Sequence, residues 1–177
     1  FNYKEAEKSY EIALSLNDDL QEGLIGMAIV HDKQGQTPES LPFVEKAIRL
    51  FPKNSSCWYI AGEVYNKLER YDEAYLAYAK ADEYDSEDNV QIQLDFSNFI
   101  AENLSLQEAI DYLQNKENSA CQFRLVAYFL MLNQHKKALN QFEQCLSIDF
   151  EGHKALFTYH EELNHLPEFI SLLNNFK

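Results

Sequence analysis

Five glycines and four prolines in 177 residues leave few natural break points, so the chain reads as ordered elements joined by short turns. Strict apolar–polar alternation in β-branched residues is missing as well, and no sheet is expected. Cysteine is scarce: Cys57, Cys121 and Cys145 are odd in number and too far apart for a metal-binding pair. They read as small apolar residues in helix interfaces and fit a reducing, cytoplasmic compartment. Positive charge is short too, with 15 Lys and Arg against 29 Asp and Glu and a net charge of −14. That balance argues against binding nucleic acid or anionic membrane, both of which need basic side chains to neutralise phosphate. It would draw in a basic partner, although its commoner effect is solubility. The longest apolar run, Leu125 to Leu132, has eight residues and falls far short of a membrane span.

What is present is apolar content of 46%, enough for a continuous core. Its pattern is clearest in residues 55–88. There Trp58, Ala61, Gly62 and Tyr65 share one helical face, and Ala74, Tyr78 and Ala81 share another. Two short amphipathic helices with a tight turn near Glu69 follow from this spacing. Ala13, Ala47 and Ala81 stand 34 residues apart; so do Tyr10, Val44 and Tyr78, and Ala6, Ser40 and Ala74. One hairpin cannot bury its apolar face alone, and a repeated one can.

Residues Trp58-x2-Ala61-Gly62-x2-Tyr65, followed by Ala74-x3-Tyr78, resemble the tetratricopeptide repeat family. The proline expected at the end of the unit is replaced by Ser86, while Pro52 fills that place one unit earlier. The resemblance implies an all-α, right-handed α-α superhelix of antiparallel helix pairs. The expected organisation is one solenoid over 1–177. Its units are 1–20 (truncated), 21–54, 55–88, 89–117 (shortened), 118–151 and a C-terminal pair, 152–177. Because Phe1 lies partway through a unit, the chain reads as a fragment of a longer protein, with an uncapped apolar face at its N-terminal end.

In unit 21–54, Leu24, Met27, Ala28 and His31 take the packing positions and Gly35 ends the first helix. Thr37 is expected as N-cap of the second, with Pro38 at its first position. Pro42 means either that this helix begins later or that its first turn is distorted. In 89–117, Phe96, Ser97, Ile100, Ala109 and Leu113 fit the pattern, but the second helix ends near Gln114. Leu125, Val126, Phe129, Ala138 and Phe142 resume it. Leu156, Tyr159, Leu163, Phe169, Leu172 and Leu173 make the last pair.

Signals for catalysis are weak: no phosphate loop, nucleophile elbow or Cys/His cluster appears. His160 and His165 are five residues apart, about 140° around a helix, and cannot share a metal there. His153 and His160 have better spacing and no evident third ligand. The acidic run 82–88 lacks the glycine and closing glutamate of a calcium loop. No enzyme activity, cofactor or metal is expected.

The resemblance instead implies a concave groove lined by the first helices of successive units, holding a peptide or a partner helix. The positions left free by the packing stripe are Ile25 and Ile29; Tyr59, Glu63, Asn66 and Lys67; Leu94 and Asn98; and Phe123, Ala127, Leu130 and Met131. From Phe123 to Leu132 only Arg124 is neither apolar nor aromatic, so that helix is either enclosed or presents an apolar surface. The clamp of Lys, Asn and Arg by which some family members hold chaperone tails is not carried over, since Ile25, Ile29, Tyr59 and Glu63 occupy its positions. A non-catalytic interaction scaffold is expected, with self-association of the array as the alternative.

Overall fold

The structure, a computed structural model, describes residues 2–176. It is all-helical, and the chain divides into two compact units, one ending at Ile92 and one beginning at Gln93.

The first unit contains α1 (Tyr3–Leu16), α2 (Gln21–Lys33), α3 (Thr37–Leu50), α4 (Ser55–Lys67) and α5 (Tyr71–Tyr84). Neighbouring helices pack closely, and at two crossings a glycine meets a tyrosine ring. A Cβ on Gly62 would come within 2.9 Å of the Tyr78 ring, and the ring of Tyr10 lies against Gly26 in the same way. Ala28, Val44, Ala47, Ala61, Ala74, Ala77 and Ala81 are fully enclosed. Ser40 interrupts this stripe, and its buried hydroxyl donates to the Ala28 carbonyl at 2.7 Å, which removes the cost of placing it there. Trp58, expected in the same stripe, is only half-buried and donates its indole N–H to the Pro52 carbonyl at 2.9 Å. Cys57 and Val64 fill the enclosed positions beside it.

The hairpin turns explain why so few glycines suffice. Gly35, Glu69 and Asn133 each have positive φ, 79°, 58° and 59°. After each, an N–H reaches back five residues: Gln36 to the His31 carbonyl, Arg70 to Tyr65 and Gln134 to Phe129, at 2.8–2.9 Å. This closure satisfies helix-end carbonyls and requires one left-handed residue. Only Gly35 adopts that conformation without strain.

Two expectations for α3 change. Gln36, not Thr37, precedes the helix, and Thr37 donates its hydroxyl to Asp32 on α2 at 3.0 Å. The helix does not start late at Pro42 but runs from Thr37 straight through it. Pro42 lies on the exposed side, where water can serve the carbonyl it leaves unpaired.

The second unit holds α6 (Val90–Asn103), whose first turn carries the boundary, then α7 (Leu106–Leu113), α8 (Ser119–Met131) and α9 (His135–Ile148). The chain ends with α10 (His153–Tyr159), a 3₁₀ turn (Glu161–His165) and α11 (Pro167–Asn175). As the spacing predicts, α7 is short: eight residues against fourteen in α9. Phe142 centres the core, with the rings of Phe169, Phe157 and Phe123 at 5.1, 5.7 and 6.4 Å. The final pair differs from expectation. Its first helix stops at His160, whose backbone leaves the helical region, so His160 and His165 do not lie on one helix. Leu156, Leu163 and Phe169 are buried as expected, while the side chain of Tyr159 lies outside those described.

Candidate functional site

In the second unit, α8, α10 and α6 surround an open cavity of about 400 Å³. α8 brings Ala120, Phe123, Arg124 and Ala127 to it, α10 brings Ala155 and Leu156, and α6 brings Leu94. The cavity exists because α10 has only seven residues, too few to cover α8 along its length. His160, where the helix breaks, stands at the edge. Gly152 lets α10 start close to α8: a Cβ there would overlap the Phe123 ring and fall 2.5 Å from Asp149 Oδ2. Asp149 is itself tied down, accepting from the Ser119 hydroxyl at 2.8 Å and the Gly152 N–H at 3.0 Å.

Arg124 supplies a fixed cation on this mostly apolar wall. Its Nη1 donates to Asn98 Oδ1 at 2.6 Å, and Tyr128 donates to the same oxygen at 3.0 Å. The Tyr128 hydroxyl also lies 3.1 Å from Ser97 Oγ, which is fully buried. Burial pushes the Tyr128 phenol above its ordinary value, so it stays a neutral donor in this chain. The guanidinium keeps further donors to offer.

Of the residues singled out by sequence, Leu94, Phe123 and Ala127 line the cavity, and Asn98 acts through Arg124. Leu130 and Met131 do not line it; Met131 is 57% exposed, one turn beyond Ala127 on the same face. Between the two alternatives for this helix, enclosure prevails: Phe123 and the run from Leu125 to Phe129 are buried. Arg124, Asp149, Gly152 and Leu156 were not among the expected groove residues. Arg124 was legible as the one charge in an apolar run; the others lie on the returning segment, which no helical period connects to α8.

In the first unit Ile29 and Glu63 line a smaller cavity of about 180 Å³ with Asp32, Lys33, Ile60 and Val64. Lys67 does not line it but pairs with Asp32, which does, at 2.5 Å. Ile25, Tyr59 and Asn66 are half-buried and do not line it. Tyr59 packs against Tyr78, ring to ring at 6.3 Å.

Among the described residues no group of three or more His, Cys, Asp or Glu is arranged to hold a metal ion. No helix among them is long and apolar enough to cross a membrane.

Residues 1–81 match the family model for subunit 3 of the anaphase-promoting complex, or cyclosome. No curated protein matches the chain by sequence. Among solved structures it is similar to YrrB, a TPR protein with an unusual peptide-binding site. That likeness has 21% identity and a TM-score of 0.64, over 97% of this chain and 92% of that one. It is also similar to MamA, at 13% identity and TM-score 0.69, covering 86% and 92%. A thermophilic TPR protein of Thermus thermophilus is similar at 18% and 0.63, covering 88% and 89%. These likenesses establish the fold.

Proposed function

We propose that this chain, which shares its fold with solved tetratricopeptide-repeat proteins, works as a non-catalytic interaction scaffold, residues 1–177 forming one array that binds a peptide or partner helix. In each unit the contacts would come from the first helices of the repeats: α2 and α4 in the first, α6, α8 and α10 in the second. The observation that carries this reading is the α8–α10 cavity: an apolar floor with one oriented cation and room for a bulky side chain. Arg124 would pair with a carbonyl or carboxylate of the bound segment, and Leu94, Phe123 and Ala127 would take its apolar side chain. In the first unit Ile25, Ile29, Tyr59, Glu63, Asn66 and Lys67 would offer contacts to a partner, and in the second Leu130 and Met131 would extend the surface. YrrB, similar in fold, is described as having a peptide-binding site, which supports the reading by analogy.

The test is selection of linear peptides on the wild-type chain, followed by affinity measurement on Ala127→Arg and Arg124→Ala. Ala127→Arg fills the cavity, and binding should fall at least about tenfold, or ~1.4 kcal/mol. Failure to select any peptide that loses affinity on these variants would exclude the cavity.

Self-association is the second reading, favoured by Ile12 and Leu16 on α1, which are 54% and 84% exposed. Light scattering across a concentration series separates the two: a monomer at every concentration rules it out.

A further inference from the structure

The shortness of α7 has left a second cleft in the second unit, of about 440 Å³, bordered by the segment after α7 and by α8 and α9. Its lining is unlike that of the cavity above. Five carboxamide side chains face it, Gln114 and Asn115 from the segment, Gln122 from α8, and Gln141 and Gln144 from α9. The only charges among the described lining residues are Lys116 and Glu117, which cancel, in a chain of net charge −14. At the end of α9, Ile148 borders the cleft and is 76% exposed. Gln122 stands two residues from both Ala120 and Arg124, about 160° around α8, so cleft and cavity use different faces of that helix.

We infer that this cleft is a second protein-binding site, taking an extended, uncharged segment of a partner whose backbone pairs with the carboxamides and whose apolar side chain covers Ile148. A carboxamide carries one acceptor oxygen and a two-proton donor, the same groups as a peptide bond, so a row of them matches a main chain rather than a particular side chain. Two members are already oriented: Gln122 donates to the Lys116 carbonyl, and Gln141 donates to Gln122 Oε1 at 2.8 Å. Gln114, Asn115 and Gln144 are exposed and available to a ligand. The cancelling charges disfavour a strongly basic or acidic segment, which would leave its own charge facing uncharged amides. Ile148 supplies the apolar anchor that amides alone do not give. At ~3.3 Å per residue an extended stretch of a few residues spans such a cleft.

The experiment is selection of a random linear-peptide library on the Ala127→Arg chain, whose other cavity is blocked, followed by measurement on Gln144→Ala and Ile148→Lys. Gln144 and Ile148 are exposed, so both substitutions should leave the circular dichroism spectrum of that chain unchanged. Expected are peptides without net charge that lose at least about tenfold in affinity on each variant. They should also lose binding when their backbone is N-methylated, and change less than about twofold up to about 0.5 M salt. Three results would overturn the inference: no peptide enriched on Ala127→Arg, enriched peptides indifferent to Gln144 and Ile148, or peptides unaffected by N-methylation. Since the cavity is blocked throughout, none of these bears on the α8–α10 reading.

Discussion

The edge of the Phe123 ring occupies the space where Gly152 would carry a Cβ, so α10 can begin against α8 only with glycine at that position. The backbone there is ordinary, with φ −60°, and the requirement is one of space alone. Phe123 is 5% exposed and touches Phe142, so the ring has little freedom to yield.

Gly152→Ala should therefore destabilise the chain by ~1–3 kcal/mol, the usual cost of overpacking. Urea unfolding of the variant, and of Gly152→Ala combined with Phe123→Leu, checks the cause. A smaller side chain opposite should recover part of the loss; strictly additive losses would refute the contact.

Glu69 holds a left-handed conformation that its homologous position, Gly35, adopts freely. Glu69→Gly should raise stability by about 1 kcal/mol, because the relief of strain exceeds the extra entropy of the unfolded chain. The side chain is exposed, so little packing is lost. The urea midpoint measures it, and a decrease would mean that the carboxylate contributes more than its backbone costs.

Pro42 has no N–H to give to the Pro38 carbonyl inside α3. Pro42→Ala should stabilise by roughly 1–3 kcal/mol through a restored hydrogen bond and better helix propensity. Helical ellipticity and thermal midpoint should rise together.

Alkaline pH should weaken the fold. Burial pushes the Cys57 and Cys145 thiols from 9.0 up to about 11, and raises the Tyr65 and Tyr128 phenols as well. These groups are held neutral in the folded chain and ionise more easily once it unfolds. Their contribution is complete below the unfolded value near 9 and is lost as pH climbs through that of the folded thiols. Urea midpoints at about pH 8 and about pH 10.5 should show the fall. In Cys57→Ala/Cys145→Ala the drop should be smaller.

Most of the helical architecture was written in residue spacing. The 34-residue step from Ala13 to Ala81, the turn at Glu69 and the early end of α7 near Gln114 all depend on contacts within a helix or between adjacent ones, which periodicity encodes. Helix continuity through Pro42 was not legible, because neighbouring packing outweighs the loss of one hydrogen bond.

The sites divide in the same way. By itself the sequence singled out positions outside the packing stripe, and three of them, Leu94, Phe123 and Ala127, border the α8–α10 cavity. Only the tertiary structure decided where the surface becomes concave. The cavity depends on where α10 stops and on Gly152 yielding to Phe123; the polar cleft depends on what a missing stretch of α7 leaves uncovered. A void is set by elements that end, and local spacing records only those that continue.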